Sequence, residues 1–517
     1  MIKNFKWLLL VSLAFVACNN DDEDTTPAEV PITPGSAVFT KYVALGDSFA
    51  AGYSDGALFS KGQQGSYTNI LSQLFAPAGG GAFSTPLMLD NIGGFSSGGV
   101  QVAKFPTRLV FNPLTSSPVN VPGVSGTSIT AHLTGTFNNM GIPGAKSFHL
   151  IAPGYGNLAG VFTTPATANP YFARIASSGT TTILADAMVQ SPTFFTLWIG
   201  GNDVLGYATN GGVPSSQDPV LGDDITPTAT FDFAYNTLVT ALTASGAKGV
   251  VANLPYVNTL PYFTTVPVNP LTLSLLGGGN TAVGLATVKA LNAQLYGPLK
   301  AALTAFGAGD RINLLSETAA NPLLIKDETL PNLSAQLTAA FTPTLGATMA
   351  GFYGQIFGQA RQAKQITGFK DYILLPTRSV IGTAPVGIPA PLDKYGITFP
   401  LEDKHVLIQA EVKEIETATN AYNTTIASTA QAKGLAFVDT RAVMTQLSNG
   451  GINFGNFNMT AAYATGGAFS LDGIHPSPRG YGLIANIFVD AINLKYGSTL
   501  RHVDLGVYPI QYPLIIQ

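Results

Sequence analysis

Sulfur chemistry is almost absent from this chain. Its 517 residues hold one cysteine, Cys18, which rules out an internal disulfide or a cysteine-based metal site. Charge is also scarce. Only 10% of residues are charged, the net charge is −4 and no basic stripe stands out, so nucleic acid is not an expected partner. There are five histidines and no group with metal-ligand spacing, so no metal and no other cofactor is expected. Finally, no segment offers the uninterrupted apolar run of about 18 residues that a membrane-crossing helix needs.

Apolar residues, glycine and proline are plentiful instead. The chain is 46% hydrophobic, with 56 Gly and 34 Pro, and its mean hydropathy is +0.26. This describes a large, loop-rich globule, long enough for about two to four domains.

The N-terminus reads as an export signal. Lys3 and Lys6 precede an apolar run over Trp7–Ala17, too short to span a bilayer. Phe15-Val16-Ala17-Cys18 resembles a bacterial lipobox, with Phe15 where Leu is usual. Residues 1–17 are therefore expected to be a lipoprotein signal peptide and Cys18 the lipidated residue. Asn19-Asn20-Asp21-Asp22-Glu23-Asp24 opens an acidic tether over 18–39, expected to be flexible. It reads either as a plain soluble linker or as an acidic stretch similar to those that send lipoproteins of Bacteroidetes-type bacteria to the cell surface. The expected location is a lipid anchor on the outer membrane, with the cell surface as its farther end. Oligomeric state leaves no trace in the sequence.

Beyond the tether, strand-like and helix-like stretches alternate. Tyr42–Leu45, the stretch entering Asn139, Thr193–Ile199, Lys248–Val257 and Leu435–Thr440 read as strands. Gly65–Ala76, Thr181–Gln190, Phe231–Leu242, Glu402–Lys433 and Gly482–Leu494 read as helices. That alternation predicts a parallel sheet with helices on both faces. Two stretches interrupt it. Residues 77–135 read as a loop-rich insertion with short strands such as Arg108–Phe111. Residues 258–400 read as a mainly helical insertion, with helices near 281–306 and 334–364. These helices pack a subdomain core of their own or form a lid over the site.

Short motifs mark the ends of the strands. Gly46-Asp47-Ser48 follows the first, and ligands in open α/β sheets bind just beyond the carboxyl ends of strands. Gly200-Gly201-Asn202-Asp203 follows the third. Near the end of the chain, Asp472-Gly473-Ile474-His475 sets an acid and a histidine three residues apart on a turn-rich loop. One loop can thus aim both side chains at one point, as a serine triad requires. His132, His149 and His502 lack that spacing, and His405 sits in a charged cluster suited to a helix start. Gly94-Phe95-Ser96-Ser97-Gly98 fits a nucleophile elbow, but a glycine-rich loop follows it where a helix is required. Ala145-Lys146-Ser147 lacks the adjacency of a phosphate loop.

Taken in order, Gly46-Asp47-Ser48, Asn139 to Gly144, Gly200 to Asp203 and Asp472 to His475 resemble the four blocks of the SGNH (GDSL) hydrolase family. The resemblance covers about 40–257 and 401–495. Tyr422-Asn423 and the turn at Pro255 also look like the family. It implies a three-layer α/β/α sandwich with a flavodoxin-like parallel sheet, a core of 40–257 and 401–517 carrying the two large insertions. It also implies a nucleophile at Ser48, a base at His475, an acid at Asp472, and an oxyanion hole built from Ser48, Gly144 and Asn202. Asp47 is expected to tie down its loop. The implied function is a lipid-anchored esterase or lipase acting on a carboxylic ester, either an acyl lipid or a short acyl ester. A polysaccharide O-acetyl esterase, or a surface lipoprotein that binds lipid without catalysis, are the alternatives.

Overall fold

The computed structural model describes residues 31–214 and 222–516. The expected signal peptide, Cys18 and the acidic run lie outside the described residues.

Five short strands form one sheet: β1 (Tyr42–Gly46), β2 (Asn139–Gly141), β3 (Phe194–Trp198), β4 (Lys248–Ala252) and β5 (Ala436–Val438). Their order is β5-β4-β3-β1-β2, and every pair is parallel. This is a doubly wound order, and it reverses between β1 and β3. β1 and β3 are buried at every position and apolar but for Thr196, whose hydroxyl bonds that of Tyr42 at 3.0 Å, as strands covered on both faces must be.

Helices supply that cover. Besides the short α1 (Ser48–Ala51), they include α2 (Tyr67–Phe75), α3 (Asn202–Thr209), α4 (Thr228–Thr243), α5 (Gln409–Lys433), α6 (Thr440–Ser448) and α7 (Pro478–Tyr496). α2 and α7 cover one face. Phe75 and Tyr496 meet Phe194 edge-on at 5.5 and 5.9 Å between ring centroids, and Phe488 meets Trp198 at 6.1 Å. The opposite face carries Phe195 and Leu197 and is closed by α4 and α5, where Phe231 stacks on Tyr422 at 4.2 Å. Local chemistry sets the ends of α7. Ser477 Oγ accepts from Gly480 N at 2.9 Å, Pro478 occupies the first turn, and Gly497 ends the helix at φ 68°. In α5, Asn423 clamps the turn after β4. Its side chain accepts from Leu254 N and donates to Leu254 O, both at 2.8 Å.

Several expectations are corrected. The tether is not flexible to residue 39. Ser36 N donates to Tyr496 O at 2.8 Å, and Phe39 is buried, stacked on Phe75 at 4.1 Å. Apolar burial of Ala37 and Phe39 outweighs the Pro and Gly that precede them. The long helix starts at Gln409 rather than Glu402. Asp403–His405 form one 3₁₀ turn, and Val406–Leu407 then pair with Tyr372–Ile373. The second insertion thus continues past residue 400 to this strand pair. It is also less helical than expected. Antiparallel pairs join 324–326 to 360–362 and 365–366 to 369–370, and the helix Ser334–Phe357 breaks at Gly346 (φ 74°).

That insertion has its own apolar cores, one around Leu299, Leu303, Leu337 and Phe357, the other around Leu271, Leu323 and Ile325. Buried Arg361 joins its parts. It donates to Asp371 at 2.6 and 2.9 Å and to Asp327 at 2.6 Å. The smaller insertion carries short strands, one of them at 109–112, and pairs them as hairpins at 96–97/100–101 and 109–112/117–120. No helix among the described residues is long and apolar enough to cross a membrane.

Candidate active site

The site forms at the carboxyl end of the sheet, where the strand order reverses. Gly46 of β1 stands level with Gly141 of β2 and Trp198 of β3. The three segments that follow, carrying Ser48, Gly144 and Asn202, therefore leave the sheet side by side.

Ser48 opens α1. The Asp47 carboxylate caps that helix by accepting from Phe49 N at 3.0 Å, the role expected of it. The turn has no spare room. A Cβ on Gly46 would lie 2.5 Å from Trp198 O, and one on Gly141 would lie 2.3 Å from Ala51 N. Only glycine lets β1 approach β3, and β2 approach the Ser48 turn, so closely.

His475 reaches Ser48 from the far end of the chain. Its Nε2 lies 2.8 Å from Ser48 Oγ, and its Nδ1 lies 2.8 Å from Asp472 Oδ2. Nδ1–H donating to the carboxylate leaves Nε2 to accept the serine proton. Asp472 is held from several sides. Ile474 N and His475 N each donate to Oδ1 at 2.8 Å, Ser470 Oγ at 3.1 Å, and Gly56 N donates to Oδ2 at 2.9 Å. Burial raises the Asp472 carboxyl, but the His475 ring and these donors outweigh it and hold it below its ordinary value. Ser48 and His475 are themselves buried. Tyr53 and Phe49 cover the imidazole, with ring centroids 4.6 and 5.5 Å from it.

The residues expected to supply oxyanion donors follow the level ends of three adjacent strands. Gly144 is exposed and adopts φ 81°. Among the described residues its N–H and that of Ser48 have no acceptor. Asn202 Nδ2 donates to Ala145 O at 3.0 Å, which seats the amide beside Gly144, and its second hydrogen has no acceptor among the described residues. The next residue, Asp203, ties the two loops together by accepting from Ser147 N at 2.8 Å and Ser147 Oγ at 2.7 Å. Burial pushes its carboxyl up to about 6 despite these donors.

The other sequence readings fall elsewhere. Ser96 lies in a hairpin and donates to Thr127 O at 3.3 Å. No helix follows it and, among the described residues, no histidine bonds it. His405 Nδ1 accepts from Glu402 N at 3.3 Å within its 3₁₀ turn, a structural role, though not at the start of α5.

Sequence reasoning missed four neighbours: Tyr53, Asp55, Gly56 and Ser470. Asp55 is buried at φ 52° and accepts from Leu471 N at 2.9 Å, while Ser470 Oγ accepts from Asp55 N at 2.9 Å. Burial pushes Asp55 up to about 7. These contacts join residues more than 400 positions apart, so no local spacing announces them. The root of the second insertion also touches the site, where Tyr262 N donates to Gly473 O at 2.9 Å.

No family model, curated protein or solved structure matches this chain.

Proposed function

We propose that this chain is a serine hydrolase of the SGNH type that cleaves carboxylic esters. The observation that carries the reading is the unbroken relay from Ser48 Oγ through His475 to Asp472, with both links at 2.8 Å. Ser48 Oγ attacks the ester carbonyl carbon as His475 Nε2 takes its proton. Asp472 keeps the imidazole in the tautomer that can accept, and stabilises the imidazolium. Negative charge then develops on the former carbonyl oxygen. The N–H groups of Ser48 and Gly144, without an acceptor among the described residues, and the Asn202 amide are its donors. His475 returns the proton to the leaving alcohol. Water, deprotonated by the same imidazole, then releases the acid and restores Ser48.

The reading includes lipidation at Cys18 and an outer-membrane location. Incorporation of labelled palmitate, lost in Cys18→Ala, tests that part separately.

The enzymatic reading is tested with p-nitrophenyl acetate. Ser48→Ala is expected to lower kcat by about 10⁴ or more, whereas Ser96→Ala should keep wild-type turnover. Activity that survives Ser48→Ala would overturn the assignment.

A further inference from the structure

The relay leaves one apolar space unused. A groove of about 70 Å³ lies between α6 and α7. Trp198 and Phe488 line it from the sheet side. Val443 and Leu447 face it from α6, and Leu483 and Ile487 from α7.

Two features say what the space would hold. The first is its chemistry. The side chains lining it with polar atoms are Thr440 and Trp198, and both of those atoms are already committed. Thr440 Oγ1 donates to Asn253 O at 2.5 Å, and Trp198 Nε1 donates to the same carbonyl at 3.1 Å. A sugar or peptide entering the groove would lose its water and find no partner, at a cost that hydrocarbon does not bear.

The second feature is position. Phe49, the residue after Ser48, and Pro476, the residue after His475, both line the groove. The Phe49 ring bridges the two places, 5.5 Å from the His475 ring and 4.9 Å from Trp198. The groove thus lies next to the relay, with the Phe49 ring between them. It follows α7 from Gly480 to Ile487, about 10 Å at the rise of a helix.

We infer that this groove is the acyl-chain site, and that the substrate is an ester whose acyl part is a straight alkyl chain several methylenes long. The inference rests on the ester-hydrolase reading and extends it to substrate class. The carbonyl sits at Ser48 and the chain runs between α6 and α7. Ile487 and Leu447 mark the far end and set the length accepted.

The experiment measures kcat/KM for p-nitrophenyl esters of increasing acyl length. It compares the wild type, Ile487→Trp and Leu447→Phe, which fill the far end, with Leu494→Trp on the exposed side of α7 as control. In the wild type each added methylene is expected to raise kcat/KM by up to about fourfold until the groove is full. Both filling variants should lower the ratio of long-chain to acetyl turnover by tenfold or more, and Leu494→Trp should keep the wild-type profile. Ser48-dependent hydrolysis with a flat profile, or one that neither filling variant changes, would overturn the groove assignment and leave the hydrolase reading standing. Absence of Ser48-dependent hydrolysis would overturn the hydrolase reading and the acyl-site inference with it. Displacement of a fluorescent fatty acid would then show whether the groove still takes hydrocarbon, which Ile487→Trp should weaken.

Discussion

A hydrogen-bond donor aimed at developing charge contributes most where it is already oriented and unpaired. Asn202 fits that description. One amide hydrogen is spent on Ala145 O at 3.0 Å, which locks the side chain, and the other is free among the described residues. Asn202→Ala is expected to lower kcat by about 10²–10³ with little change in KM, because the charge it meets exists only in the transition state. Steady-state kinetics on p-nitrophenyl acetate check this. A loss confined to KM would assign Asn202 to substrate binding instead. Asp472 illustrates a different residue-scale point. Burial raises its carboxyl, and the His475 ring with the backbone donors around it outweighs burial and holds it below its ordinary value.

At the scale of elements, the site depends on how closely β1, β2 and α1 approach. Gly141 has no room for a side chain, since a Cβ would meet Ala51 N at 2.3 Å and Ala50 C at 2.6 Å. These are backbone atoms and cannot rotate away. Gly141→Ala is therefore expected to displace α1, with a loss of about 1–3 kcal/mol and a fall in turnover beyond what stability explains. Urea unfolding and kinetics on the same preparation check the two together. Wild-type turnover with full stability would show that the nucleophile turn tolerates displacement. This element was legible beforehand, because Gly46 and Ser48 sit where an apolar run ends. The start of α5 was not. The charges of Glu402, Asp403 and Lys404 look like a helix start, but Val406–Leu407 are drawn into pairing with Tyr372–Ile373 across the insertion. A partner distant in sequence outweighed the local preference.

For the whole molecule, buried carboxyls set the response to pH. Burial pushes Asp47 and Asp55 up to about 7 and Asp203 up to about 6. In the unfolded chain each returns to its ordinary value of 3.8. Between 3.8 and about 7 the folded state therefore holds more protons than the unfolded one. Their contribution to stability is complete below 3.8 and is lost as pH rises through 6 to 7. Asp472 has the opposite sign, and its loss falls below 3.8, outside this window. Asp47→Asn, which retains an acceptor for Phe49 N, is expected to flatten the decline in stability between pH 5 and 7.5 by up to about 1.4 kcal/mol per pH unit. Urea midpoints at several pH values check this. An unchanged slope would show that Asp47 stays charged in the fold.

Much of the site was readable from the chain alone. Ser48, Asp472 and His475 were singled out by their spacing at the ends of apolar stretches, Gly144 and Asn202 by the resemblance to the SGNH family, and the alternation of those stretches already specified a parallel sheet. The spacing and the alternation are local properties, set by periodicity and by the turn chemistry of Gly, Asp and Pro. Three things were decided only by tertiary structure. Gly56 N donates to Asp472, and Asp55 N to the Ser470 hydroxyl that in turn bonds Asp472; the Gly56 and Asp55 contacts each span more than 400 residues. The segment around Phe39 folds back onto α2 because an aromatic partner waits there. The groove is lined by residues as far apart in sequence as Phe49, Trp198, Val443 and Ile487, so no single stretch announces it. Spacing along a chain shows which face of a helix is apolar, but the distance to the next helix is set by everything else that positions the pair.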